Sequence, residues 1–173
     1  MRKIQKLVLT IYAFAYATAA HADWQYTRWG QSLDELLVMT DKGIRKATPE
    51  ETYGSSYFDY GQALAAGTSS TSEFTFPVAF LFIRDKLSGV VLSMDTISLA
   101  FAIRARLKDQ YGDPTKSDTR YNAQTSCTDE DNTWVDKGRG NIIATLFWYC
   151  VFLASHTFTL MYRPILTGKD TGL

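Results

Sequence analysis

Two cysteines lie at equal distances from a turn signal, Gly138-Arg139, in this 173-residue chain. If Lys137 faces Gly140 across a tight antiparallel hairpin, an unbroken ladder places Cys127 directly opposite Cys150. Residues opposed in this way lie within the roughly 7 Å between Cα atoms that a disulfide requires. The spacing therefore predicts a long hairpin closed by a Cys127–Cys150 disulfide. The alternative is a pair of buried, reduced cysteines.

The first 22 residues have the order of a secretory signal peptide. Three basic residues precede an uncharged run at 7–20, and Ala20 and Ala22 are small residues where a signal peptidase would cut. The run is shorter than the roughly 20 residues that span a bilayer, so we expect cleavage before Asp23 and no retained membrane anchor. The mature protein is then predicted to be periplasmic or secreted, in a compartment where disulfides form.

Residues 23–166 are expected to form one α+β domain, followed by a frayed tail at 167–173. Large apolar residues recur at alternate positions over 74–83, four of them phenylalanine and one of them Val78, which predicts a strand that pairs in a hairpin with 87–94. Pro77 cannot donate to a ladder, so this strand should lie at an edge or bulge there. Further strands are predicted over 61–66, 115–121, 132–136, 141–153 and 157–163, and a loop over 67–72.

Two helices complete the prediction. Ser32 and Glu35 form a capping box that begins a helix over 33–41. A stripe of apolar residues at helical spacing predicts a second helix that ends before Gly112. The order of elements favours a mainly antiparallel sheet with two helices packed on one face. Two α-β-β-β halves are a further interpretation that the sequence leaves open.

Three segments carry a resemblance to small exported bacterial proteins. They are the opener Trp29-Gly30-Gln31-Ser32 through Leu36, the hairpin that begins at Phe80, and the helix ending Leu107 through Pro114. The group that they resemble is made up of periplasmic proteins of uncharacterised function. The chain has a more distant likeness to outer-membrane assembly lipoproteins of the SmpA/OmlA type and to helix-plus-sheet inhibitors of β-lactamase. It departs from the lipoprotein pattern because no cysteine stands at the predicted cleavage point.

The composition offers little for catalysis, and we expect no catalytic residue, no cofactor and no metal. Eighteen basic and eighteen acidic residues balance, which argues against nucleic-acid binding. The predicted mature chain keeps one histidine, His156, and has no Gly-x-Ser-x-Gly turn. Asp129, Glu130 and Asp131 could attract calcium, but they lack the spacing of a calcium loop and are interpreted as a solvated acidic loop.

The leading hypothesis is a non-catalytic exported protein that binds another envelope protein or a ligand. The alternatives are a small periplasmic hydrolase using carboxylates and a protein that binds an apolar ligand. The candidate contact residues are aromatic: Trp24, Tyr26, Trp29, Tyr57 and Tyr60. The alternative for these residues is packing over the edge of the core. The basic residues of the second helix, Arg104, Arg106 and Lys108, could contact an acidic partner or form a solvated face.

Overall fold

The computed structural model of the chain describes residues 24–53, 60–70, 74–150 and 155–166. The predicted signal peptide, the candidate contact residue Tyr57 and the predicted tail lie outside these ranges.

The protein has an α+β fold, as the sequence predicts. Its strands are β1 (Arg45–Lys46), β2 (Gln62–Ser70), β3 (Thr75–Ile83), β4 (Lys86–Met94), β5 (Lys116–Asn122), β6 (Cys127–Asp136), β7 (Asn141–Cys150) and β8 (Ser155–Pro164). The helices are α1 (Leu33–Leu37), α2 (Pro49–Tyr53) and α3 (Ile97–Tyr111), with a 3-10 turn at Thr40–Lys42. No helix in the described part of the chain has both the length and the apolar character needed to cross a membrane.

The eight strands form one antiparallel sheet in the order β1-β2-β3-β4-β8-β7-β6-β5. In each half the strands run in chain order from the edge of the sheet to its centre, where β4 and β8 meet. Each half contains a helix and four strands, rather than the three strands per half that the sequence left open. The first half also holds α2 between its first two strands.

The core lies between one face of the sheet and helices α1 and α3, and we call this side the helix face. The residues that fill it are large and nearly inaccessible, and they include Leu36, Ala100, Leu107, Phe80, Val90, Phe147 and Phe158. A smaller buried cluster of Ala63, Leu81, Val91 and Met161 lies on the opposite side, which we call the far face. Both faces of the central strands are therefore apolar, as the sequence of these strands requires.

The capping box of α1 is confirmed. The Ser32 hydroxyl accepts from the Glu35 amide at 3.2 Å, and the Glu35 carboxylate accepts from the Ser32 amide at 2.7 Å. The helix ends at Leu37, earlier than the predicted residue 41. A 3-10 turn follows, and Gly43 then adopts a φ of 66°, which glycine tolerates without strain.

Two strand predictions in the first half are wrong. The strand that contains Pro77 is an interior strand, β3, and it has no bulge at that residue. Pairing with β4 begins only at Val78, so on that side Pro77 lies beyond the ladder. In the predicted loop over 67–72, residues 67–70 instead continue β2 to Ser70, because these small residues pair with the first four residues of β3. Residues 71–72 lie outside the described ranges.

The hairpin of β6 and β7 has the predicted register. Asp136 faces Asn141 at the turn, and the ladder runs without a shift to Cys127 opposite Cys150. These cysteines form a disulfide with Cα atoms 4.1 Å apart, which confirms the predicted pairing. The disulfide lies on the far face. Leu146, on the same face, is 45% exposed, so this side of β7 is less covered than the apolar sequence predicts.

Candidate functional site

A groove lies between α3 and the two outer strands of the second half. At this place α3 packs against β6, and β5 is the outermost strand of the sheet. Phe101, Arg104 and Lys108 form the helix wall at spacings of one helical turn. Ser117 and Glu130 belong to the strand floor. The groove has a volume of about 420 Å³, within the range of ligand-binding clefts.

A chain of hydrogen bonds crosses the floor of this groove. The Arg104 guanidinium forms a salt bridge with the partly buried carboxylate of Glu130. The Asn132 amide donates to the same carboxylate at 3.0 Å, and the Ser117 hydroxyl donates to the Asn132 amide oxygen at 2.7 Å. The network holds four polar side chains in fixed positions, since each is tied to its neighbour.

An exposed aromatic ring lies at one end of the groove. Phe101 is 51% exposed, although its ring packs edge-on against buried Phe147 at 5.5 Å between centroids. The Arg104 guanidinium lies 5.9 Å from the centre of the Phe101 ring, within the range of a cation–π contact. Ile97, one turn earlier on α3, is also exposed. The groove therefore joins an apolar, solvent-accessible end to a polar floor.

The other end of the groove lies beside the C-terminal end of α3. The Trp134 indole donates to the Gly112 carbonyl at 3.0 Å, which ties β6 to the end of the helix. Lys108 and Asp113 form an exposed salt bridge at 2.8 Å, and hydrogen bonding to that carboxylate raises the pKa of Lys108. Both cations that line the groove are therefore paired with carboxylates that also line it.

A smaller depression of about 270 Å³ lies beside α2 and contains two adjacent carboxylates, Glu50 and Glu51. Arg45 binds Glu51 through both guanidinium ends at 2.7 Å, and the Thr48 amide donates to it at 2.8 Å. The guanidinium, followed by the Thr48 amide, lowers the pKa of Glu51 to about 2. The pKa of Glu50 is also lowered, mainly by a backbone hydrogen bond. Both carboxylates are therefore ionised at neutral pH.

The predicted acidic loop is wrong, because Asp129, Glu130 and Asp131 lie within β6. Side chains alternate between the faces of a strand, so Glu130 points toward α3 while its two neighbours point to the far face. The described residues contain no group of three or more histidine, cysteine or acidic side chains that could hold a metal ion. The ring of His156 lies against the Asp95 carbonyl, which immediately precedes the cap of α3.

The predicted aromatic contact residues lie elsewhere. Trp24 is buried, and the Trp29 indole donates to the Asn141 side chain at 2.9 Å. Tyr26 packs partly buried against the core. Tyr60 remains accessible on the far face, where the Arg163 guanidinium lies 4.9 Å from the centre of its ring. The rings of Trp24 and Tyr26 are in contact, with 5.9 Å between their centroids, whereas Tyr60 lies on the other side of the sheet. The role of these residues in binding stays a prediction.

Sequence reasoning identified Arg104 and Lys108 as basic residues of α3, but it did not connect them with Phe101 or with β6. The connection depends on pairing across the fold, since Arg104 and Glu130 are 26 residues apart in the chain. One signal was present in the sequence. Asn132 and Trp134 continue the alternation from Glu130, which marks these three side chains as sharing one face.

Comparison of the chain with models of known protein families, with curated proteins and with solved structures gives no match.

Proposed function

We propose that this is a non-catalytic exported protein, and that the groove beside α3 binds a segment of another protein of the bacterial envelope. The observation that carries the proposal is the half-exposed ring of Phe101 next to the Arg104–Glu130 salt bridge. Aromatic residues and arginine contribute the largest share of binding energy at protein interfaces. Here an aromatic residue, Phe101, and an arginine, Arg104, lie next to each other in the wall of the groove.

The surroundings of Phe101 support the same interpretation. Ile97 adds a second exposed apolar side chain one turn away on α3. Glu130 already holds the Arg104 guanidinium in place, so binding a partner would cost little further side-chain entropy. Paired charges at the rim of an interface contribute chiefly to partner choice and association rate. The groove therefore offers an apolar anchor site bordered by fixed polar groups.

The two alternative functions have less support. A hydrolase that uses two carboxylates needs one of them to hold a proton at working pH, which requires a raised pKa. The adjacent pair Glu50 and Glu51 has lowered pKa values instead. An apolar ligand would be bound mainly by apolar walls, whereas the groove floor is a polar network of Glu130, Asn132 and Ser117.

Site-specific photo-crosslinking in the source cells tests the proposal. A photoreactive residue at position 101 should give a discrete crosslinked product, whereas the same residue at Ala102 should not. Ala102 is also exposed on α3, but it is rotated by about 100° from Phe101 around the helix axis.

A second measurement addresses the salt bridge. Arg104→Ala should weaken the crosslink from position 101, with the fold monitored by circular dichroism. Equal crosslinking from positions 101 and 102, or none from either, would contradict a binding role for the groove.

A further inference from the structure

The outer strand of the second half has a free edge. In the described part of the chain, β5 pairs with β6 alone, and all seven of its residues are exposed. The other edge of the sheet, β1, is only two residues long. A seven-residue strand with unpaired backbone groups is a template for pairing with another strand. The side chains of β5 decide which strand it can accept.

The two faces of β5 differ in chemistry. By its register with β6, β5 places Ser117, Thr119 and Tyr121 on the helix face. The far face carries charges of alternating sign, in the order Lys116, Asp118 and Arg120. Charges on an edge strand usually oppose pairing with other chains. Alternating signs act differently, because they favour one register and oppose the others.

We propose that a second copy of this chain pairs with β5, edge to edge and antiparallel, with Thr119 at the two-fold axis. In this register Asp118 of each copy faces Arg120 of the other. Two attractive charge pairs therefore form in each dimer. The two sheets join into one, with the helices of both copies on the same side.

The charges exclude the neighbouring registers. Pairings that keep the helices of both copies on one side differ by two residues. A shift of two residues in one direction places Asp118 opposite Asp118 of the second copy. A shift of two residues in the other direction places Arg120 opposite Arg120 of the second copy. Opposed like charges destabilise a cross-strand pair. The strand is thus complementary to itself in one register.

The dimer would also alter the groove. Ser117, which lines the groove, would face Tyr121 of the second copy, and both side chains belong to the helix face. Tyr121 is 65% exposed in the single chain, so its ring is available to extend the rim of the other copy's groove. The dimer itself does not depend on what the groove binds.

Sedimentation velocity of the signal-cleaved protein, from about 1 to 100 μM, tests the proposal. The wild type should shift from monomer to dimer over a concentration range. Asp118→Arg should weaken dimerisation by about tenfold or more, because both charge pairs become repulsive. The double variant Asp118→Arg/Arg120→Asp restores opposite charges in the same register and should recover the dimer.

Loss of the fold would not explain the expected result. Within the chain Asp118 faces Asp131 and lies 3.7 Å from Arg120, which also binds Asp131 at 2.9 Å. Asp118→Arg therefore loses the long, exposed contact with Arg120 and gains an attractive pairing with Asp131 in the β5–β6 ladder. Asp109→Arg, at an exposed position on α3, is the matched control for the change in charge and should leave dimerisation unchanged.

Three results would each overturn the proposal. They are a wild type that stays monomeric at every concentration, equal effects of Asp118→Arg and Asp109→Arg, and a double variant that remains monomeric. Crosslinking from position 101 to a different protein is a separate readout, so the groove and the dimer can fail independently.

Discussion

Cys127 and Cys150 face each other across two interior strands, with their Cα atoms 4.1 Å apart and their sulfurs bonded. Both residues are buried on the far face of the sheet. The bond joins positions 23 residues apart and so closes the whole β6–β7 hairpin. A disulfide of this kind is consistent with an oxidising compartment.

The disulfide should stabilise the protein by roughly 3 kcal/mol, because it restricts the unfolded hairpin. We expect no titratable thiol in the native protein, and a lower urea midpoint after reduction. The double variant Cys127→Ala/Cys150→Ala should resemble the reduced protein and show no response to reductant. A wild-type unfolding curve unchanged by complete reduction would contradict the prediction.

The cap of α1 is a second target. Ser32→Ala removes the hydroxyl that accepts from the Glu35 amide and should cost about 1 kcal/mol of unfolding free energy. Thr96 is the matched control, because it caps α3 by position yet makes no side-chain capping bond. Thr96→Ala should therefore cost less than Ser32→Ala in urea unfolding. The reverse order would show that the capping box does not hold the start of α1.

Burial of Tyr162 should make the protein sensitive to alkali. Desolvation raises the pKa of this phenol to about 12, from an ordinary value of 10.0. The unfolded chain releases the proton first, so the stabilisation is fully present below pH 10 and is lost as pH rises toward 12. The loss should be of the order of 2–3 kcal/mol.

Unfolding free energies of the wild type and Tyr162→Phe, measured between pH 9 and 12, test this effect. The phenylalanine variant should show a shallower fall in stability with pH. Tyr121→Phe is the control for removing a phenol hydroxyl from a tyrosine at an exposed position. Identical slopes for the wild type and Tyr162→Phe would contradict the assignment to this buried hydroxyl.

The salt bridge between Arg45 and Glu51 predicts that the stability of the protein falls at acid pH, as Glu51 becomes protonated. Glu51 has its pKa lowered to about 2 by the Arg45 guanidinium and then by the Thr48 amide. A lowered pKa stabilises the fold above the ordinary value of 4.5, and this contribution is lost as pH falls toward 2. Arg45→Gln should raise the Glu51 pKa in a carboxyl NMR titration, whereas Lys46→Gln should change it less. A Glu51 pKa unaffected by Arg45→Gln would disprove the bidentate pairing.

Local patterns predicted much of the fold. Three patterns were sufficient because each involves residues that are close in the chain or joined by a single turn. They are the cap at Ser32 and Glu35, the alternation in β3, and the cysteine spacing in the β6–β7 hairpin. The interior position of β3 did not follow from Pro77, because the β3–β4 ladder ends at Val78 and needs no donor at Pro77, although β4 continues to Met94. Ser93 and Met94, the last residues of β4, pair instead with β8, which comes much later in the chain.

The groove could not be predicted for a related reason. Glu130 stands in an acidic run, which is typical of a solvated loop, and only its place in β6 points it toward Arg104. The sequence also did not predict that Phe101 is exposed, since an aromatic residue in a helix more often faces the core. Its position follows from the packing of α3 against β6 and of the Phe101 ring against Phe147 in β7.

The last strand of the described chain, β8, is an interior strand that lies between β4 and β7. It contributes five residue pairs to β4 and ten to β7, and so joins the two halves of the sheet. A growing chain therefore exposes one side of β4 and one side of β7 until residues 155–164 have been synthesised. The completed sheet cannot form before β8 has been synthesised. Both halves of the sheet therefore complete their strand pairing at the same strand.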